Sequence, residues 1–198
     1  MNLQFDAMSL TMPDVVGHPN RLPFRGILTL VGTASLRPPS GACGHRVLLS
    51  RSATEAALPS LLGMALDYAP SLDAHDARRK IGIITQADIV PVPQSKTSGT
   101  GAPPVSAALS HRLGSQSPIG QLAVAGYLFA HDFPDVIDEI RSQASGTLGM
   151  SYEIANATVP NQNALIWAVT DFTFTGAAVL RRDRAAYPQT WIALATSN

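Results

Sequence analysis

The sequence predicts an α+β domain that is rich in strands, barrel-like and flanked by helices. Three observations lead to this class. Short runs of β-branched and aromatic residues outnumber the helical patterns, helices fall between these runs, and the sequence contains neither a Gly-rich phosphate loop nor a regular repeat. With 198 residues, 45% of them hydrophobic and 14% charged, the chain has enough apolar material for one sizeable core. We therefore expect a single domain over residues 24–190.

The charge balance excludes some partners. Fourteen basic residues match fourteen acidic ones, so no overall field draws the chain towards nucleic acid or an anionic membrane. The single cysteine, Cys43, excludes an internal disulfide and fits a reducing compartment. The start of the chain lacks the pattern of a signal peptide, and no apolar run is long enough to span a bilayer. We expect a soluble protein made in a cytoplasm, without a nucleic-acid or membrane partner.

The first half of the chain alternates strands with one helical region. Residues 1–23 contain turn formers and predict an N-terminal arm, and the run from residue 24 to 33 predicts a core strand. A short strand, "RVLLS", precedes "SATEAALPSLLGMALDY", which we interpret as helical because Ser52 or Thr54 can cap it and apolar residues recur at helical spacing. Pro59 is expected to divide this helix or to start a second one. A strand is predicted from Lys80 to Val90.

The second half begins with a segment of unusual composition. Residues 91–121 are dominated by Ser, Gly, Pro and Thr, which predicts a flexible insertion or a long external loop. The following elements are a strand ("LAVAGYLFA"), a helix ("FPDVIDEIRSQAS") with an apolar stripe, three further strands and a C-terminal tail. The strands are expected at 148–159, 164–171 and 172–181, and the tail at 191–198.

Two stretches carry candidate chemistry. His75 lies in a polar turn between Asp73 and Asp76, where a carboxylate can orient the imidazole and stabilise its cation. Ser151 follows Gly149 and Met150 in a predicted strand, where nothing nearby in the sequence can activate its hydroxyl. Taken singly, the two residues also fit a surface histidine and a strand serine bonded to backbone.

Other sites receive less support. The five histidines are scattered, and one cysteine cannot build a structural zinc site, so we expect no metal and no cofactor. The cluster "LRRDR" (180–184) fits either a solvated turn or an oxyanion clamp.

The order of these motifs resembles that of the capsid-maturation (prohead) proteases of tailed phages. The succession is a His-Asp pair, "KIGIIT", "LAVAGYLFA", a helix, "LGMSYE" and an apolar strand running into "FTGAAVLRRDRAAYPQT". The resemblance covers residues 24–90 and 121–190. Those proteases are similar to the herpesvirus assembly protease, so the resemblance implies a herpesvirus-protease-like β-barrel wrapped by helices.

The resemblance also implies roles for individual residues. Ser151 matches the nucleophile and His75 the general base of a serine endopeptidase. The herpesvirus enzymes use a second histidine after the serine, and this chain has none beyond His131, so Asp88 or Glu153 is left as the third member.

Arg181 and Arg182 occupy a place similar to the arginine pair that holds the oxyanion in the herpesvirus enzymes. The implied substrates are segments of the major capsid protein and the scaffold protein, and the chain itself. The implied setting is the assembling prohead in the host cytoplasm, with the enzyme acting as a homo-oligomer.

Two alternatives remain open at this point. One is a catalytically inactive capsid or scaffold component that keeps the protease fold, which the missing second histidine favours. The other is an unrelated β-barrel that binds a ligand, for which the order of the motifs is a coincidence.

Overall fold

The computed structural model describes residues 8–9, 15, 17–76, 78–92 and 120–195. The elements in this part of the chain are ten strands and two helices. They are β1 (Met8–Ser9), β2 (Leu22–Val31), β3 (Arg46–Leu49), α1 (Arg51–Leu61), β4 (Ala65–Tyr68), β5 (Lys80–Pro91), β6 (Gly120–Leu128), α2 (Pro134–Ser142), β7 (Leu148–Thr158), β8 (Ile166–Val169), β9 (Asp171–Arg181) and β10 (Trp191–Leu194).

Eight of the strands form one mixed sheet. Its order is β10-β2-β6-β5-β4-β9-β7, and β1 adds to β5. All neighbours are antiparallel except β4 and β9, which run parallel. The remaining strands, β3 and β8, make a separate parallel pair. The class is therefore mixed α and β and strand-rich, as the sequence predicts.

The large sheet curls until its two edges approach each other. The amide of Met150 in β7 donates to Thr190 Oγ1 at 3.2 Å, directly before β10. The Met150 sulfur lies so close to Gly26 of β2 that a Cβ there would come within 2.7 Å of it. The sheet is thus a half-barrel with its core on the concave side.

Both helices cover this core. In α2, Val136, Ile137 and Ile140 are buried, which confirms the apolar stripe read from the sequence. The interior includes the fully buried side chains of Leu28, Leu49, Leu61, Leu66, Ile81, Ile84, Leu122, Leu128, Met150 and Phe174. Within the described part of the chain, neither α1 nor α2 is long and apolar enough to cross a membrane.

The boundaries of α1 differ from those predicted. Ser50, and not Ser52 or Thr54, is the N-cap, because its Oγ accepts from the amide of Ala53 at 3.2 Å. Thr54 points inward and donates its hydroxyl to the carbonyl of Ser50. Pro59 does not divide the helix and stays inside it. Gly63, with φ of +81°, turns the chain so that residues 65–68, predicted to be helical, form β4.

The ends of the chain also differ from the prediction. Residues 191–194, assigned to a tail, form β10, which pairs with Phe24–Ile27 of β2. Of the predicted insertion, the described residues include only the two ends, 91–92 and 120–121. There, Pro91 of β5 pairs with Gly120 of β6. Residues 93–119 lie outside the description. The strand predicted from Lys80 to Val90 is confirmed as β5.

Candidate functional site

A cavity of about 770 Å³ opens beside β7. Its lining includes residues 151–154 of β7, the loop from Pro38 to Ala42, and Trp167 and Val169 of β8. Ser151, Glu153 and His75 all line this cavity. The structure therefore brings the serine and the histidine chosen from the sequence to one place, together with one of the two candidate third residues.

The strand register explains how three elements contribute to the site. Ser151 of β7 lies opposite Ala178 of β9, and Ala178 lies opposite Asp67 of β4. Residues in register on neighbouring strands project from the same face of a sheet. Glu153, two positions after Ser151, shares this face. Tyr152 between them packs edge-on against the core residue Phe174, as its position in the alternation predicts.

His75 reaches the site from the connection between β4 and β5. Its Nδ1 lies 3.0 Å from Glu153 Oε1, although the two residues are 78 positions apart in the chain. The connection is fastened at Leu72, whose carbonyl accepts from the Arg181 amide at 2.7 Å. The adjacent acids have other partners: Asp73 bonds to Ser71, and Asp76 pairs with Arg78. Glu153 is thus the carboxylate that orients the ring.

Gly176 of β9 makes room for this contact. It lies opposite Glu153, and a Cβ at this position would come within 2.6 Å of Glu153 Oε2. Because that carboxylate is the far end of a flexible side chain, a larger residue at 176 displaces the carboxylate and not the backbone. Glycine at this position therefore sets the direction from which Glu153 meets His75.

Asp67 is a fourth polar group beneath the histidine, and it is completely buried. Its Oδ2 accepts from Lys80 Nζ at 3.4 Å. Its Oδ1 lies 4.0 Å from His75 Nδ1 and has no hydrogen-bond partner among the described residues. Burial raises the pKa of Asp67 above its usual value, and the neighbouring Glu153 adds to this, while His75 and Lys80 act in the opposite direction.

The cavity brings together a serine, a histidine and a carboxylate, and a hydrogen bond joins the histidine to the carboxylate. An imidazole whose Nδ1 faces a carboxylate presents Nε2 to accept a proton. Ser151 Oγ makes no hydrogen bond to His75 or to any other residue in the described ranges, so its hydroxyl is free to face the cavity.

The other predicted site residues lie elsewhere. Asp88 of β5 lies opposite Ala123 of β6, eight positions after Lys80 and so roughly 25 Å further along the strand. Arg182 donates to the carbonyls of Pro188 and Gly146, and Arg181 pairs with Asp183 at 3.3 Å. The arginine of this cluster that lines the cavity is Arg184.

Sequence reasoning missed Asp67 and Gly176, and within the cluster at 180–184 it singled out Arg181 and Arg182 instead of Arg184. Asp67 carried a usable signal, since an acid inside the apolar run "MALDYA" is expected to be paired or functional if the run is buried. Because this run was assigned to a helix, the buried position of Asp67 was not recognised. Gly176 carried a weaker one, as an isolated glycine within a strand pattern.

Comparisons of the chain with protein-family models, curated proteins and solved structures find no match.

Proposed function

We propose that this protein is a serine endopeptidase in which Ser151 is the nucleophile, His75 the general base and Glu153 the residue that orients the histidine. One observation carries the proposal. The Nδ1 of His75 meets Glu153 Oε1 at 3.0 Å inside the cavity that Ser151 lines. A carboxylate, an imidazole and a serine from two distant parts of the chain thereby line one cavity, and these are the groups that acyl transfer by a serine nucleophile uses.

The chemistry follows from these positions. Ser151 Oγ attacks the scissile carbonyl carbon while its proton passes to His75 Nε2. Collapse of the tetrahedral intermediate breaks the C–N bond, and His75 returns the proton to the departing amine. Water then attacks the acyl ester, again losing its proton to His75, and Ser151 is restored. Throughout, Glu153 keeps Nδ1 protonated and stabilises the transient imidazolium.

An oxyanion forms on the carbonyl oxygen in both tetrahedral intermediates and needs a positive partner. The resemblance places this role on Arg181 and Arg182, but neither is among the lining residues of the cavity: Arg181 forms an ion pair with Asp183, and Arg182 donates to two backbone carbonyls. Arg184 has no such contact within the described residues, and it lines the cavity. We therefore assign the role to Arg184.

The proposed substrate is an extended peptide, and the apolar residues that line the cavity support this choice. Val47, Ile154, Trp167 and Val169 offer apolar contact next to the polar group of Ser151, His75 and Glu153. The order of motifs adds the biological setting. We propose a herpesvirus-protease-like enzyme of phage head maturation, oligomeric inside the assembling prohead, that cuts scaffold protein, capsid protein and itself.

Co-expression with the capsid and scaffold proteins of the same virus tests this proposal. Intact-mass spectrometry should detect defined cleavage products with the wild-type chain and none with Ser151→Ala. Ser40→Ala is the matched control, because Ser40 lines the same cavity and should be dispensable. Cleavage products that persist with Ser151→Ala, or that do not form even with the wild-type chain, would contradict the peptidase proposal.

A second candidate function rests on the open contact at Ser151. A nucleophile without a hydrogen bond to its base, beside arginines fixed by structural contacts, also suits a shell or scaffold component without activity. This candidate predicts that Ser151→Ala leaves head assembly and all protein masses unchanged.

A further inference from the structure

The group formed by Asp67, His75 and Glu153 has a property that the proposed triad leaves unexplained. One atom of each residue, namely a carboxylate oxygen or the imidazole nitrogen, lies within 4.8 Å of the corresponding atoms of the other two. A triad needs one carboxylate for its histidine, and here two converge on the same Nδ1, at 3.0 Å from Glu153 and 4.0 Å from Asp67.

A proton on Nδ1 cannot satisfy both carboxylates. If it points to Glu153, Asp67 Oδ1 is left buried without a hydrogen-bond partner among the described residues. An unpaired oxygen of a carboxylate in this position is costly, and proteins keep such groups where they have a use. Lys80 does not relieve Oδ1, because its ammonium contacts the other oxygen, Oδ2.

We infer that Asp67, His75 and Glu153 form a binding site for a divalent transition-metal ion, with zinc as the best-fitting ion. One ion can bond to Oδ1, Nδ1 and Oε1 together, which a proton cannot do. Zinc takes imidazole nitrogen and carboxylate oxygen at about 2.0–2.2 Å, and three protein ligands with one open position are common for it. Hard ions such as Mg²⁺ and Ca²⁺ prefer sites made of oxygen alone.

The ligand atoms lie near one another but have to move inward, because carboxylate oxygens of Asp67 and Glu153 are only within 4.8 Å of each other. Tetrahedral ligands around zinc lie roughly 3.4 Å apart. The pair of Nδ1 and Oε1 is already near this value at 3.0 Å, and the pair of Nδ1 and Oδ1 has to close from 4.0 Å. His75 and Glu153 are each about one-quarter exposed, so both the ion and its fourth ligand can enter from the cavity.

The local charge also favours a cation. Asp67 and Glu153 contribute two negative charges and Lys80 one positive charge, so the group beneath a neutral His75 carries a net charge of −1 when both carboxylates are ionised. A divalent ion changes this to +1. Among the other lining residues, Asp73 and Arg184 are also charged, with opposite signs.

Metal binding has a consequence that rests on the proposed function. The ion takes the place of the Nδ1 proton, the neutral ring then carries its one proton on Nε2 by exchange through solvent, and Glu153 is drawn into the coordination shell of the ion. His75 then no longer has the carboxylate contact that makes it a general base, so zinc should inhibit the peptidase reversibly.

Isothermal titration of the purified full chain with zinc chloride tests the binding directly, after treatment with EDTA and dialysis. We expect one equivalent to bind to the wild type, with affinity reduced at least about tenfold in Asp67→Asn and in Glu153→Gln. His131→Gln is the matched control, because His131 faces Asp132 at 3.6 Å in a separate, exposed pair. Circular dichroism checks that each variant is folded, and Glu153→Gln decides the outcome if Asp67→Asn is not.

The outcomes separate this inference from the proposed function. The metal site is overturned if the wild type does not bind zinc, or if both site variants bind zinc with the affinity of the wild type. Either result holds whether or not Ser151 is reactive. Zinc binding that depends on Asp67 and Glu153 supports the site even if Ser151 proves inert. Nitrogen chemical shifts of His75 that change on adding zinc, with those of His131 unmoved, provide a readout that does not depend on activity.

Discussion

The contact between His75 and Glu153 depends on the absence of a side chain at position 176. A methyl group there would lie 2.6 Å from Glu153 Oε2, and the flexible carboxylate would move before the backbone does. Misplacing a positioning group by about 1 Å costs on the order of 100-fold in rate. The residue that fixes this geometry is therefore not itself polar.

Gly176→Ala should lower peptidase activity about 100-fold while changing the free energy of unfolding by less than about 1 kcal/mol. The measurement is cleavage rate together with thermal unfolding. Thr175→Ala, at the exposed neighbouring position, serves as control and should retain full activity. Full activity in Gly176→Ala would show that the contact of Glu153 with His75 is dispensable.

At this scale the sequence allowed part of the site to be predicted. Ser151, His75 and Glu153 were all candidates, because residue type, strand alternation and the order of motifs are local properties of the chain. Asp67 was not predicted as a site residue, because its burial depends on the pairing of β4 with β9, a contact between segments more than 100 positions apart. The preference for Glu153 over Asp88 also required the fold, since only the register shows which acid lies near the histidine.

At the scale of elements, the start of α1 shows how a single side chain sets a boundary. The Ser50 hydroxyl satisfies the Ala53 amide, one of the donors that a helix leaves unpaired at its N-terminus. Ser52, one of the two caps expected from the sequence, is exposed within the first turn. Two serines two positions apart therefore have different energetic roles.

Ser50→Ala should lower the free energy of unfolding by about 1 kcal/mol, which corresponds to a decrease in Tm of roughly 2–4 °C for a chain of this size. Ser52→Ala should lie within about 0.5 kcal/mol of the wild type. Chemical denaturation of both variants measures the difference. Equal losses in the two variants would contradict the assignment of Ser50 as the cap.

The misassigned elements share a physical cause. Both β4 and β10 are only four residues long, and such short apolar runs carry no periodicity that separates strand from helix or tail. Their conformation is imposed by partners distant in the chain, β9 for β4 and β2 for β10. Longer elements such as β5 and α2 were predicted correctly because their own patterns are sufficient.

For the whole molecule, the curl of the sheet connects the fold to the site. Met150, one residue before Ser151, is held by the Thr190 hydroxyl and packs against β2, so the start of β7 is anchored where the two edges approach. The part of β7 that begins at Ser151 lies at the cavity, with Ser151 and Glu153 lining it. A rigid half-barrel thereby positions the proposed nucleophile on a strand and not on a mobile loop.

The central claim is that Ser151, His75 and Glu153 act together as a nucleophilic centre. Intact-mass and peptide mass spectrometry of the chain treated with a fluorophosphonate tests it most directly, because this reagent forms a stable adduct with an activated serine. We predict one adduct, on Ser151, that is absent in Ser151→Ala, retained in Ser40→Ala and formed at least about 100-fold more slowly in His75→Gln. No adduct, or one that forms at the same rate without His75, would contradict the account.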